Sequence, residues 1–388
     1  MSLPVGSRQL SALVITLAVG VAACGGGDDQ RAQTSTTIPT VAPTTLAPVT
    51  TTPTAPKAPD AYEFTLAGML SDKVKDIPPR VYVPNGGSNA VSVIDPATYQ
   101  VIDTFGVGAL PQHVVPSYDL STLYVNNNNG NSLTPIDPRT GRPGANIPVS
   151  DPYNLYFTPD GKYALVMAER ESQIDVRNPA TWELITSIEI PHSGVNHADF
   201  SLDGTTMIAS CEFSGWVVRI DLTTLKYSGE VEVGGEPIDV KISRDGSRFF
   251  VANHVKNGGG VSIIDPVAMT ETAFVPTGSG AHGLYPSRDA TQLYVTNRRA
   301  GTVSVLDFVT AQILTTWTIP GGGSPDMGGV TTDGREFWVS GRYNNEVYVF
   351  DTATGQLTHR IPVGNGPHGL AVFPQPGRFS MGHTGNYR

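Results

Sequence analysis

Between Ala281 and Gly322 the apolar positions come in four short runs, HGLYP, QLYVTN, TVSVLD and ILTTWTIP. Each is rich in β-branched and aromatic residues and is bounded by Asp, Asn, Gly or Pro, so the stretch predicts four strands joined by turns. The same pattern recurs along the chain. The sharp turn between the first two strands falls at Asp119, Asp160, Asp203, Asp245, Asp289 and Asp333, 41 to 44 residues apart, with a degraded copy near Gly377. The second strand recurs as YVPN from Tyr82, YVNN from Tyr124, LVMA from Leu165, IASC from Ile208, FVAN from Phe250, YVTN from Tyr294 and WVSG from Trp338.

Four strands repeated every 40 to 45 residues or so predict an all-β chain, a β-propeller with four antiparallel strands per blade. The first copy, at Arg80, lacks a leading strand, and the last supplies a spare one, HGLAVF, from His368 to Phe373. Seven blades therefore close only if the C-terminal strand completes the N-terminal blade. No convincing long helix interrupts the pattern, and no nucleotide-binding loop or nucleophile elbow stands in a strand–turn–helix setting.

Composition narrows the functions available. The formal net charge is −10 and no basic run offsets it, which argues against nucleic-acid binding through phosphate neutralisation. Gly and Pro, 42 and 31 residues, sit at the turn phases of the repeat. The two cysteines, Cys24 and Cys211, offer no disulfide framework, so stability must come from burial and ring closure.

The apolar run Leu10 to Ala23 is shorter than the roughly 20 residues that span a bilayer, and it follows the single positive charge Arg8, as in a secretory signal over residues 1–23. Ala22 and Ala23 before Cys24 resemble the lipobox of bacterial lipoproteins, in which the cysteine is acylated. Residues 24–60 then form a Thr- and Pro-rich tether, extended at about 3.1 Å per residue in polyproline geometry, suited to a stalk. A lead-in (61–79), the propeller (80–377) and a tail (378–388) complete the domain plan. The expectation is a monomer outside the cytoplasm, lipid-anchored to the cell membrane, with a cell-envelope protein, glycan or small ligand as partner.

Candidate chemistry collects at the start of the channel-lining strands: His113, Asn154, His197, Asp239, His282, Asp326 or Met327, and His368. Four of the eight histidines share this one phase of the repeat. If each Asp-Gly turn is a simple hairpin, His197 lies opposite Cys211 to within one residue, with Glu212 beside that thiol, and His113 lies near Asn127, Asp239 near Asn253 and His282 near Asn297. Such a ring can hold a metal or cofactor, because neutral imidazole is a common transition-metal ligand, or can cap backbone groups in a wet channel. No HxH, HExxH or CxxC spacing decides between them. The tail, with His383, Tyr387 and Arg388, either folds over a channel mouth or frays.

With YVTN at Tyr294, SVLD at Ser304 and GPHGLAV at Gly366 in phase, residues 80–377 resemble the YVTN-repeat family of bacterial β-propellers. The resemblance implies this fold and several unlike uses: surface-layer proteins, lactonase-like propellers, and the haem-binding propeller of respiratory nitrite reductases. GVNHADFSLDGTTMIASCEFSG, from Gly194 to Gly215, is most similar to the last. It implies a haem ligand among His113, His197, His282 and His368, although no CxxCH for a second haem is present. The leading expectation is a ligand- or protein-binding module. Its rivals are a metal- or haem-dependent redox protein or lactonase-like hydrolase on the same face, and a purely structural envelope protein.

Overall fold

The computed structural model describes residues 58–383 and 385–388; the signal, Cys24 and most of the tether lie outside the described residues. Seven antiparallel sheets stand around one axis. Blade 1 contains Arg80–Asn85, Ala90–Asp95 and Gln100–Gly106, and the C-terminal strand Ala371–Phe373 completes it as the innermost member. Blades 2 to 7 begin with the inner strands Pro111–Pro116, Pro152–Phe157, Val195–Phe200, Pro237–Ile242, Ala281–Pro286 and Pro325–Val330. The seven-bladed ring closed by the C-terminus is thus the architecture expected from the repeat.

Burial grades outward across each blade. Pro152–Phe157 and Val195–Phe200 are buried throughout, whereas the outermost Lys226–Glu232 alternates exposed with half-buried. Second and third strands carry the apolar residues that pack between blades, such as Phe249, Phe250 and Val261 against Leu293 and Leu306. Each large apolar side chain buried in this way contributes about 1.5–3 kcal/mol. In blade 2 the outer strand is split into Arg142–Pro143 and Ile147–Pro148, since two prolines without N–H groups are tolerated only at an edge.

The repeated aspartates hold the turns. Asp203 Oδ1 accepts from Ser201 Oγ at 2.6 Å and Thr205 N at 3.0 Å, while Gly204 adopts a φ of 71°. The bonds recur at Asp119, Asp160, Asp245, Asp289 and Asp333. These turns define one face of the ring, and the loops entering the inner strands define the other.

At the seam, Arg80, Val81 and Tyr82 pair with Phe373, Val372 and Ala371, and His368 N donates to Pro84 O at 3.0 Å. Residues preceding the seam lie across the turn face. Ala61 N donates to Arg244 O at 2.8 Å, Tyr62 OH to Ile242 O at 2.8 Å, and Val74 and Ile77 join the core around blades 1 and 2. From that same face the tail enters the channel. Ser380 N donates to Tyr118 O at 3.2 Å, Phe157 N to Met381 O at 3.0 Å, and Asn386 Nδ2 to Ala198 O at 2.9 Å. It folds inward as a plug. No helix among the described residues is long and apolar enough to cross a membrane.

Candidate functional site

The inner strands do not form simple hairpins with their neighbours. In blade 4 Val195 pairs with Cys211 and the ladder resumes only at Ala198–Ala209, so Asn196 and His197 fall in a bulge. The same skip leaves out Gln112 and His113, Ile238 and Asp239, His282 and Gly283, and Asp326 and Met327. A bulge frees its residues from the ladder and re-aims their side chains, here into the channel. This corrects the expected pairings: Asn127 lies opposite Pro111, Asn253 opposite Pro237, and Asn297 opposite Ala281.

Five of the expected residues converge. His113 of blade 2, His197 of blade 4 and His383 of the tail each offer a ring nitrogen, all within 4.8 Å of one another, and none of the three is exposed to solvent. His197 Nδ1 lies 2.9 Å from Asn196 Oδ1, which as a pure acceptor requires the proton on Nδ1 and leaves Nε2 an acceptor without a partner among the described residues. Neither ring nitrogen of His113 has a hydrogen-bond partner there. Leaving such a buried group unsatisfied costs about 1–3 kcal/mol. Burial, then the neighbouring imidazoles, holds His113 well below the ordinary histidine range; burial does the same to His197 and His383. His113 and His197 thus favour the neutral form, with lone pairs that no described residue engages.

His368 and His282 form a second layer. The His368 ring lies 4.8 Å from that of His113, with Nδ1 at 2.6 Å from Asp326 Oδ2 and Nε2 at 3.3 Å from Tyr153 OH. His282 Nδ1 approaches Asp326 Oδ1 at 3.2 Å, and Arg298 Nε approaches the same oxygen at 3.3 Å. Burial opposes the Asp326 charge, yet Arg298, His282 and His368 outweigh it and hold the carboxyl well below the carboxylate range. Burial lowers His368 to about 4, with Asp326 pulling the other way. Asp326, the carboxylate alternative at its position in the sequence, anchors this layer.

Gly369 keeps the seam close to the first layer. Val114 N donates to Gly369 O and Gly369 N to Gln112 O, and a Cβ on Gly369 would stand 1.9 Å from His113 Nδ1. Only a glycine fits beside that imidazole.

The other expected residues take structural roles. Cys211 packs among Met207, Val218, Ile220 and Leu222 between blades, and burial pushes its thiol up, so it is neither opposite His197 nor poised to react. Asp239 accepts from Val240 N at 2.9 Å and Leu284 N at 2.8 Å, stapling blades 5 and 6 instead of serving as a ligand; burial raises it to about 6. Asn127 and Asn297 donate to hydroxyls of their third strands, Thr134 at 2.8 Å and Ser304 at 3.0 Å, and Asn253 donates to Gly234 O at 2.8 Å. These amides close loops and do not face the imidazoles.

A ring of polar side chains, of which the sequence reading singled out only Glu212 (beside Cys211), lines the mouth. The residue directly after each second-strand motif lies on the mouth opposite the turn face: Gly86, Asn128, Glu169, Glu212, His254, Arg298 and Arg342. Asn196 Nδ2 joins Glu212 at 2.6 Å and Glu169 at 3.4 Å. Burial, then Glu212, raises Glu169 to about 8, and burial raises Glu212 to about 7. The mouth therefore carries largely protonated carboxyls on blades 3 and 4 and guanidinium groups on blades 6 and 7. The signal was present: six of these seven positions are polar, in fixed phase with the repeat.

This arrangement can hold a small ion between the first three imidazoles and hydrogen-bond a polar molecule above them. It does not fit a haem. The candidate histidines are at most 2 % exposed, the tail fills the lower channel, and the cavity beside the tail is ≈ 30 Å³, far too small for a haem.

Comparison with known proteins agrees at the level of fold. Uncharacterized protein YwhL of Bacillus subtilis (strain 168) is 24% identical over 310 residues, 75% of this chain, which spans 64% of the length of that relative. A putative 6-phosphogluconolactonase from Bacteroides fragilis NCTC 9343 superposes with a TM-score of 0.62 at 18% identity, over 77% of this chain and 99% of its own. The dihydro-heme d1 dehydrogenase NirN, in complex with DHE, gives 0.59 at 15% identity over 82% of each chain. Such distant likeness establishes the architecture and leaves activity open. The model of the YNCE-like beta-propeller family matches residues 59–377, and with the repeat and closed ring described above the chain belongs to that family.

Proposed function

We propose that this protein is a binding module held outside the cytoplasm by a lipid on Cys24, taking a small polar ligand at the histidine-bearing mouth of its channel. One observation carries the ligand reading: hydrogen-bonding capacity left unfilled at that mouth. Gln112 Oε1, Asn126 Oδ1, His254 Nε2 and Arg342 Nη1 are buried atoms without a hydrogen-bond partner among the described residues. Buried polar atoms are almost always satisfied, so a cluster of exceptions supports a missing partner. The polarity of the rim suggests the ligand's chemistry. A zwitterion sets its anionic end toward Arg298 and Arg342 and its cationic end toward Glu169 and Glu212, whose carboxyls, held protonated by burial, ionise as it binds. The anchor rests on the apolar leader and the small residues before Cys24, and the Thr/Pro tether supplies the reach.

The test is a thermal-shift screen of the purified protein against small zwitterionic, anionic and cationic molecules. The expected result is stabilisation by zwitterions that is lost in Arg298→Ala and in Glu212→Gln; a hit that survives both substitutions refutes this mouth as the site. Cys24→Ala should release the protein from the membrane fraction, and retention there refutes the anchor.

A further inference from the structure

We propose that His113, His197 and His383 form a binding site for one borderline transition-metal ion of the zinc, cobalt, nickel or copper class. The site lies below the mouth and does not depend on what the mouth binds. Three observations converge on it.

First, the donor set is right for these ions and wrong for calcium or magnesium, which take oxygen ligands. Three ring nitrogens within 4.8 Å of one another are brought together by three separate segments of chain. Second, the rings are prepared as ligands. Asn196 fixes the His197 tautomer by accepting from Nδ1 at 2.9 Å, as an outer-shell acceptor does for a metal-bound imidazole. His197 Nε2 and both His113 nitrogens remain without hydrogen-bond partners among the described residues. Third, the cluster is closed off from water. All three rings are fully buried, and the edge of the Tyr153 ring closes over two of them, 5.3 Å from His113 and 5.7 Å from His197. His368 is not counted as a ligand because Asp326 and Tyr153 engage its two nitrogens.

Two ligands belong to the channel wall and the third to the tail, so ion binding strengthens the docking that the tail's own hydrogen bonds already provide. An ion in this site cross-links residue 383 to blades 2 and 4 and holds the plug in the channel. Because the seam strand Ala371–Phe373 lies a few residues earlier, the ion also secures ring closure. Three protein ligands leave a fourth position for water or another small donor.

The full-length protein, stripped with a chelator, is titrated with Co²⁺ and followed by its visible ligand-field bands and by calorimetry. The expected result is one equivalent bound, with Zn²⁺ competing. His113→Ala and His383→Ala each weaken binding by at least about 100-fold, the upper end of what loss of an outer-shell partner costs. His359→Ala, at a half-buried position against Tyr99 on the outer strand of blade 7, leaves it unchanged. Since His113 is packed in the wall and its removal can disturb folding, His383→Gln, confined to the tail, is the second variant. Carboxypeptidase trimming reads the coupling: metal should slow loss of the C-terminal residues in the wild type and not in His383→Gln. Absence of stoichiometric Co²⁺ binding overturns the site. Undiminished affinity in His383→Gln, or equal protection of its tail by metal, overturns the three-histidine assignment. Failure of the zwitterion screen touches neither result.

Discussion

Replacing Gly369 by alanine tests the contact between the closing seam and the imidazole cluster. The added methyl would lie 1.9 Å from His113 Nδ1, 2.7 Å from its Cγ and 2.8 Å from its Cε1, where ordinary contact begins near 3.4 Å. About 1.5 Å of relief is needed, and neither partner yields freely. The backbone of Gly369 is held by hydrogen bonds to Gln112 O at 2.8 Å and from Val114 N at 3.0 Å. The His113 ring is hemmed by those of His383 at 4.4 Å, His368 at 4.8 Å and Tyr153 at 5.3 Å. Overpacking of a dense interior costs typically 1–3 kcal/mol, and with both sides fixed the expectation is about 3 kcal/mol. The assay is urea denaturation followed by tryptophan fluorescence, with Gly106→Ala as the control. Gly106 has nothing within 4 Å of its would-be Cβ and should tolerate the change. In a His113→Ala background the penalty should fall by more than half, because the clashing ring is gone. An equal penalty in both backgrounds would show that the imidazole is not what demands glycine, and the reasoning would fail.

The rim predicts a pH signature. Glu169 is raised from 4.5 to about 8 by burial and then by Glu212, so between those values the folded state keeps a proton that the unfolded chain releases. That contribution is fully present below the unfolded value and is lost as pH rises toward the folded one. Glu169→Gln should therefore gain stability over the wild type in urea melts at pH 8.5 relative to pH 5, and the same difference at both would refute the assignment. Cys211, in a Cys24→Ala background, should resist aromatic disulfide reagents until the protein unfolds; Cys211→Ser should cost about 1–3 kcal/mol by burying a hydroxyl in the apolar core. Rapid labelling of the native thiol would contradict its placement between blades.

The architecture was legible because the turn aspartates and second-strand motifs keep one phase across the repeat, and because a missing first strand at Arg80 matched a spare one at His368. Individual contacts were less legible. A hairpin rule drawn from Asp203 and Gly204 put His197 opposite Cys211, but the bulge at Asn196–His197 moves Val195 into that place. Nothing in the composition of VNHADF distinguishes a bulged strand from a regular one. The consequence reaches beyond one pair: the bulge turns His113 and His197 inward and leaves the thiol in the core. The tail was harder still, since HTGNYR resembles a fraying end by local pattern and becomes a plug only through partners more than a hundred residues away, such as Ala198 and Tyr118. Glu169, Arg298 and Arg342 were readable in principle, one step beyond a motif already aligned. They lie outside the strand motifs themselves, on the residue by which each strand leaves the sheet.

The clasp between Asp60 and blade 5 has a mechanical consequence. Asp60 Oδ2 meets Arg244 Nη2 at 2.7 Å, Ala61 and Tyr62 bond to the same blade, and only after Pro79 does the chain enter blade 1. Under the anchor proposed above, tension from residues before 58 would be borne first by blade 5, across the ring from the joint where the first and last strands meet. The seam, held by three residue pairs, is spared the load. A tether pulled by flow or by a bound partner would strain the clasp before it could unzip the ring, and the mouth, on the opposite face from the clasp, would keep its shape while the turn face carries the force.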